Sequence, residues 1–405
     1  MIYVAIMGFG VVGSGVYEVM KKNSSHIAVK SMEDVKIKYI LDTREFDDPD
    51  IADMLVRDFE VIENDPEVRI AVEAIGGTAA AYEYTKRLLS AGKHVVTSNK
   101  ELVAKHGYEL LKLASSRGVN YMFEASVGGG IPIIRPMIQC LSANEIEEIY
   151  GIMNGTTNYI LTKMFDEGIT FEKALNEAQA LGYAEQNPAD DVEGYDACRK
   201  ICILSSLAFG RHISPEQVHC EGILSITPDD VRYAAQVGMA VKLLGRYVRV
   251  GRDKICAYVA PHLVDKSKTI SSVNDVFNAI VVRGNAVDEV MFYGRGAGKM
   301  PTASAVVADV IDAARHIDKT KNVDLWENGG DFVEDHRVLR GRYYIRADGA
   351  LSRAREIFGE IRAISGELGG ECAFITGEMS GFDFEAKIEE FRAEALVFSA
   401  IRVLP

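Results

Sequence analysis

Short apolar runs alternate with amphipathic stretches through the first third of the chain. Residues 3–7 (YVAIM) form an apolar run that leads into GFGVVG, and a helical pattern follows over 14–22. KIKYILD (36–42) reads as a second strand, RIAVEAIGG (69–77) as a third and KHVVTSNK as a fourth. AYEYTKRLLSAG and ELLKLASSRG carry helical spacing, and NYMFEAS closes the series as another strand. Alternation of strand and helix predicts an α/β fold, a Rossmann-type parallel sheet with helices on both faces.

The pattern changes near Gly128. GGGIPIIRPM opens a new segment, and EIYGIMNGTTNYIL mixes strand and helix signals. Residues 171–209 are mostly helical, interrupted by the polar loop GYAEQNPADDVEG. YVRVGRDKICAYVAPHLV and AIVVRGNAVDEVMFYGRGAGK then show period-two alternation with hairpin-like turns, which predicts an open sheet with helices, an α+β second domain. The last stretch reads as strand (342–346), helix (352–360), two strands, helix (384–392) and strand (400–403), a small βαββαβ module of ferredoxin-like type. The expected boundaries are 1–127 for the nucleotide domain, with a helix at 301–318 packing back on it. Residues 128–300 form the second domain, 319–340 a charged linker and 341–405 the C-terminal module.

The 405 residues are 48% hydrophobic and 26% charged, which suits a globular chain of two or three cores. A net charge of −14 argues against a nucleic acid or an acidic membrane as partner. An anionic cofactor must then be held by local backbone dipoles and a few cations. No apolar run reaches transmembrane length, and the N-terminus lacks the basic start and cleavage site of a secretory signal. Six scattered cysteines (Cys140, Cys198, Cys202, Cys220, Cys256, Cys372) include no CxxC pair and read as reduced thiols in a cytoplasmic protein. Cys198 and Cys202 share a helix face, but no further ligands follow at finger spacing, so packing is favoured over a metal.

The first chemical motif is Gly8-Phe9-Gly10-Val11-Val12-Gly13, between an apolar strand and a helix. Gly8 permits the tight turn, Gly10 lets backbone approach a pyrophosphate, and Gly13 lets helix and strand meet closely. The helix N-terminus then offers unpaired amides to the phosphates. A glycine-rich turn without a ligand is the plain alternative. Asp42, ending the second strand, suits the ribose hydroxyls of NAD, whereas nearby Arg44 suits the 2′-phosphate of NADP.

Thr97-Ser98-Asn99-Lys100 ends the fourth strand, where ligands of open parallel sheets bind. Lys100 there can reach cofactor and substrate, or it is a solvated lysine behind a helix cap formed by Ser98 or Asn99. Glu185, Asp190, Asp191 and Glu193 make an acidic loop suited to a substrate ammonium, or a solvated turn. Asp196 and Lys200 lie four apart on a helix face that continues through Ile203, Leu204 and Leu207. Ionisable groups on such a face must be paired, and their proton affinities can shift. A simple salt bridge is the plain alternative.

In this order, GFGVVG, SNKELVAKHG, EASVGGGIPII, GIMNGTTNYIL and GYAEQNPADDVEGYDACRK resemble the homoserine dehydrogenase family over roughly residues 1–325. The resemblance implies interconversion of homoserine and aspartate semialdehyde with NAD or NADP, and a substrate-binding and dimerisation role for the α+β domain of residues 128–300. It implies that Lys200 transfers the proton and Lys100 is a second lysine at the reacting oxygen. Glu185 and Asp196, with Asp191 beside them, would hold the substrate's amino end. Cofactor contacts would come from Gly8, Phe9, Gly10, Val11, Val12, Gly13, Thr78, Ser98, Lys100, Gly182 and Gly298. Glu124, Val127, Gly129 and Ile131 would hold a monovalent cation, Na+ or K+, through one carboxylate and three main-chain carbonyls. The acidic loop departs from the family in reading EQNP, so Asn187 replaces one carboxylate.

The C-terminal module resembles an ACT domain, an amino-acid-sensing fold, through RYYIRA, Asp348-Gly349-Ala350-Leu351, Ile364-Ser365 and AFITG. That likeness implies threonine as an effector, although the usual Pro-Gly turn is shortened to DGA. A homodimer or homotetramer is expected. Another amino-acid dehydrogenase on the same cofactor domain, or a non-enzymatic redox and ligand sensor, are the competing readings.

Overall fold

The computed structural model describes residues 1–321, 326–349, 351–364 and 370–405, so Ala350, Ser365 and part of the expected linker lie outside the described residues. The chain forms two compact units, the first of Met1–Glu145, Cys202–Pro215 and Gly294–Gly330, the second of Ile146–Ile201, Glu216–Tyr293 and Asp331–Pro405.

The first unit is built on strands β1 (Ile2–Met7), β2 (Val35–Leu41), β3 (Leu55–Val56), β4 (Val68–Glu73), β5 (His94–Thr97) and β6 (Tyr121–Met122). They pair in the order β3-β2-β1-β4-β5-β6, all parallel. The chain runs one way from β1 to β3 and the other way from β4 to β6, so the crevice for a ligand opens between the tips of β1 and β4. The central strands are mostly apolar because both faces are covered, with Arg69 and Glu73 of β4 as the charged exceptions, which is why they read as runs rather than alternations. Helix Lys299–Arg315 returns to this core, where Ala303, Val306 and Val310 join Ile2, Val4, Ile6 and Val16 in one buried cluster. Strand β3 and helices Ser24–Ser31 and Phe59–Asn64 have no counterpart in the sequence pattern. Two to eight residues are too few for a period to emerge.

The second unit holds β7 (Ile146–Ile152), β8 (His219–Cys220), β9 (Met239–Arg249), β10 (Ile255–Asp265), β11 (Phe277–Gly284), β12 (Asp288–Arg295), β13 (Arg340–Asp348), β14 (Ile361–Ala363), β15 (Glu371–Thr376), β16 (Met379–Ser380) and β17 (Leu396–Val403). The sheet runs β12-β11-β7-β9-β10-β17-β13-β15-β14, with β8 on β10 and β16 on β13. A long antiparallel hairpin, β9 and β10, sits at its middle, paired from Met239 with Asp265 to Arg249 with Ile255.

The C-terminal elements follow the order β13, helix Leu351–Phe358, β14, β15, β16, helix Gly381–Arg392, β17. They enclose their own cluster of Tyr343, Ile345, Ile357, Phe358, Phe374 and Phe391. Their sheet is nevertheless continuous with the rest, because β17 pairs with β10 at His262–Arg402 and Leu263–Val403. The charged stretch before them contains two buried aromatic residues, Trp326 in the first unit and Phe332 in the second.

A buried ion pair ties β13 to helix Pro228–Gln236. The Arg346 Nε donates to Asp230 Oδ1 at 2.8 Å, and the Tyr344 hydroxyl donates to the same oxygen at 3.2 Å. The other Asp230 oxygen accepts from the backbone and hydroxyl of Thr227, closing the helix N-terminus. Removing one member strands the other in a water-poor site. Asp230→Ala is therefore expected to lower unfolding free energy by about 3 kcal/mol, read by urea titration. A loss below roughly 1 kcal/mol would show that the pair is dispensable.

His262 is fully buried between these strands. Its Nδ1 lies 2.9 Å from the Ala260 carbonyl and its Nε2 3.1 Å from the Tyr258 hydroxyl. Burial first, then the Arg246 charge, pushes its pKa down to about 3. The unfolded chain takes up a proton near pH 6.5 that the folded chain refuses until about pH 3. This residue's contribution to stability is therefore whole above about pH 6.5 and is lost as pH falls toward 3. His262→Gln should flatten the fall of the thermal midpoint across that window, and an unchanged acid slope would contradict it.

Candidate active site

In the first unit the glycine turn follows β1 directly. Gly8 has φ +89°, and a Cβ there would stand 2.5 Å from the Ala74 carbonyl oxygen. A Cβ on Gly13 would stand 1.9 Å from the Gly8 oxygen, so both glycines are demanded by the protein itself. Gly10 differs, because nothing lies within 4 Å of where its Cβ would be. The space over Gly10 is open, and helix Val11–Lys22 begins there with no side chain capping it. This bare helix start fits a dinucleotide's pyrophosphate, because its first backbone amides carry no side-chain cap.

Asp42, just past β2, closes the turn from the other side. Its Oδ2 accepts from the Phe9 amide at 2.7 Å, and both oxygens are engaged by the Arg44 guanidinium at 3.0 and 2.8 Å. Arg44, together with the backbone amides, holds this carboxyl well below its usual range. Arg44 itself remains largely exposed. The two residues that point to different cofactors are thus partners of each other.

The loops after β4 and β5 carry Thr78 and residues 97–100. Thr78 is the N-cap of helix Ala79–Ser90. Asn99, rather than Ser98, caps helix Lys100–Arg117, its Oδ1 accepting from the Leu102 amide at 3.0 Å. Lys100 is the first residue of that helix. Beneath these loops lies a fully buried carboxylate, Glu73, that no motif singles out. In the sequence it is one polar letter in the run RIAVEAIGG. Gly298, with φ +117°, precedes helix Lys299–Arg315.

The loop expected to hold a cation is shaped by close approach of chain to chain. Gly129 has φ +56°, and a Cβ there would lie 2.2 Å from the Gly296 oxygen. Val127 and Ile131 are buried. Glu124 is buried with its carboxylate occupied: Oε1 accepts from the Ile133 and Ile134 amides at 2.7 and 2.9 Å, and Oε2 from the amide and guanidinium of Arg135 at 2.8 and 3.3 Å. Among the described residues no cluster of three or more His, Cys, Asp or Glu could hold a metal ion.

In the second unit Lys200 and Asp196 are 7% and 3% exposed on helix Tyr195–Phe209. The Lys200 Nζ donates to Asp196 Oδ2 and to the Met153 carbonyl, both at 2.7 Å. Asn154, at the end of β7, donates from one amide nitrogen to Asp196 at 2.9 Å and Asp191 at 2.6 Å. Its Oδ1 caps helix Gly155–Glu167 by accepting from the Thr157 amide at 2.8 Å. Asp191 and Asp196 thus converge on Asn154, and Lys200 on Asp196 and the neighbouring Met153 carbonyl. The signal for Asn154 in the sequence is the turn-prone Asn-Gly of MNGTTN, a helix-start pattern whose second duty is invisible without the fold.

Glu185 lies on an exposed loop. That loop is fastened by the Gln179 side chain, which donates to the Glu185 carbonyl at 2.9 Å, and by Thr156, which donates to the Tyr183 carbonyl at 2.7 Å. Gly182 starts it with φ +73°. Asp190 is drawn aside by Arg199 at 2.8 Å.

Comparison with known proteins decides what this set belongs to. The model described as "Homoserine dehydrogenase, NAD binding domain" matches residues 8–124, and the one described as "Homoserine dehydrogenase" matches 132–311. The homoserine dehydrogenase of Synechocystis is 42% identical over 316 residues, covering 76% of this chain and 72% of its own length. That of Pseudomonas aeruginosa is 39% identical, covering 88% and 85%. The chain belongs to the homoserine dehydrogenase family. It is an NAD(P)-dependent oxidoreductase of that family. Among solved structures, the homoserine dehydrogenase of Thiobacillus denitrificans superposes with a TM-score of 0.92 at 35% identity, covering 100% of this chain and 98% of the other. A hyperthermophilic archaeal homoserine dehydrogenase in complex with NADPH gives 0.65 at 30%, covering 77% and 97%. No helix among the described residues is long and apolar enough to cross a membrane.

Asn154→Ala removes the bridge between two carboxylates as well as a helix cap. Stability should fall by about 1 kcal/mol, and turnover of homoserine by roughly tenfold. Urea titration and initial rates read the two effects separately. Full turnover in a destabilised variant would reduce Asn154 to a cap.

Proposed function

We propose that the enzyme oxidises the primary alcohol of L-homoserine to aspartate semialdehyde and runs the reverse reduction, with Lys200 as the group that takes and returns the hydroxyl proton. The observation that carries this reading is the buried Lys200, held through its Nζ by Asp196 and the Met153 carbonyl. A bound nicotinamide ring supplies the hydride acceptor, or the donor in reverse. Lys200 accepts the proton as the neutral amine, so each turnover requires it to shed one. Asp196 stabilises the charged form that results, and the carbonyl fixes where the nitrogen stands.

Asp191, Asp196 and Glu185 hold the substrate's ammonium, which leaves the alcohol carbon as the free end. Lys100 is assigned as the second lysine at the reacting oxygen. Gly8 to Gly13, Thr78, Ser98, Gly182 and Gly298 contact the dinucleotide. The open space over Gly10 and the bare helix start support that assignment. With Asp42 already neutralised by Arg44, the ribose end accepts NAD or NADP.

A monovalent cation at Glu124, Val127, Gly129 and Ile131 is bound through main-chain carbonyls, since both Glu124 side-chain oxygens already carry two donors each. The order β13-helix-β14-β15-helix-β17 supports a ferredoxin-like, ACT-type reading of the C-terminal elements, with threonine as effector. The working assembly is a homodimer or homotetramer.

Lys200→Ala is expected to lower kcat on homoserine by roughly 100-fold or more, within the usual range for general acid–base groups. Initial rates with NAD and NADP separately provide the measurement. Near-normal turnover in a folded variant would take the proton-transfer role away from this residue.

A further inference from the structure

Glu73 is the last residue of β4, and its side chain has no exposure to solvent. Leaving a carboxylate there is costly, since burial drives its pKa up to about 7 even though the Thr97 hydroxyl and the Ile75 amide pull it down. The bonds reach in two directions. Oε1 accepts from the Ile75 amide at 2.7 Å, on the loop after its own strand. Oε2 accepts from the Thr97 hydroxyl at 2.5 Å, on the tip of the neighbouring strand β5.

From Thr97 the connection runs on. The Thr97 oxygen accepts from the Asn99 amide at 2.9 Å. Asn99 Nδ2 donates back to the Gly77 carbonyl at 2.8 Å, next to Thr78. Asn99 Oδ1 caps the helix that begins with Lys100. One carboxylate therefore closes a ring of hydrogen bonds through both loops at the carboxyl edge of the sheet. Strand pairing fixes β4 against β5 only up to Glu73 and Thr97. Beyond those residues the ring is what holds the loops in register.

We propose that Glu73 is a positioning residue for cofactor binding: by locking the loops after β4 and β5 to each other, it fixes the arrangement in which Thr78, Ser98 and Lys100 are presented. This rests on the reading above that those loops meet the dinucleotide. Replacing the carboxylate by its amide breaks the ring. Glutamine offers one acceptor where the loops need two, and its nitrogen would face the Thr97 oxygen, leaving that hydroxyl's proton without its acceptor.

The test is direct binding of NADPH and of NADH to the full-length protein, followed by quenching of intrinsic fluorescence, alongside the melting temperature. Glu73→Gln is expected to weaken binding on the order of tenfold, as the loss of one or two oriented hydrogen bonds would, while melting stays within a few degrees of the parent. KM for the cofactor should rise by more than kcat falls. Thr97→Val removes the same hydroxyl from the opposite side and should give a similar loss, which keeps the question open to measurement if the Glu73 variant does not fold. Unchanged affinity in a folded Glu73→Gln, or in Thr97→Val, overturns the proposal. Gly10→Val separates the two claims: if it abolishes binding while the ring variants bind normally, the positioning role fails alone, and if it too binds normally, the cofactor reading itself fails.

Discussion

Lys200 carries its ammonium into a place that water hardly reaches, and the surrounding chain is arranged around that fact. A buried cation needs oxygen acceptors at hydrogen-bond distance, because the penalty for leaving it bare exceeds what any single packing contact returns. One acceptor comes from Asp196, one turn earlier on the same helix, and another from the Met153 carbonyl at the end of β7. The carbonyl can point at the helix only because Asn154 turns the chain at that place and begins helix Gly155–Glu167. The same Asn154 side chain then gathers Asp191 and Asp196. Strand end, helix start and acidic loop are thus joined by a single requirement. A chain so arranged keeps two carboxylates and an amine close together without water to screen them, which is the condition under which proton affinities become adjustable.

The first unit meets the opposite demand. A chain with net charge −14 repels an anionic dinucleotide, and what its glycine turn presents is open backbone rather than a field of cations. Gly8 and Gly13 let strand and helix touch, and Gly10 leaves the helix start uncovered. The carboxylates near these loops are occupied within the protein. Asp42 is bound by a backbone amide and Arg44, and Glu73 is folded beneath its loops.

Much of this is legible in the amino-acid sequence. The alternation of apolar runs and amphipathic stretches announces the parallel sheet, because strands covered on both faces and helices covered on one leave different periods. The glycine spacing announces the turn, and the four-residue spacing of Asp196 and Lys200 announces their pairing. What the sequence hides has common physical causes. Strand β3 and the short helices are below the length at which a period shows. Glu73 and Asn154 act through partners distant in sequence, Thr97 in one case and Asp191 and Asp196 in the other. The pairing of β17 with β10 joins residues roughly 140 positions apart, and local propensity holds no information on which strand edge will be met.

Glu124 illustrates a subtler limit. Its place in EASVGGGIPII draws attention to its carboxylate as a cation ligand. In the fold that carboxylate performs another task, gathering three successive amides, of Ile133, Ile134 and Arg135, where a new turn of chain begins. Three amides aimed at one point make a local positive pole, and an acid is the natural side chain to meet it. A glutamate used in this way stiffens the loop it anchors. Its charge therefore acts on the loop's shape. A residue type recurring at a fixed place in a motif identifies a site, while the atom that does the work is decided by which donors the backbone brings to that side chain first.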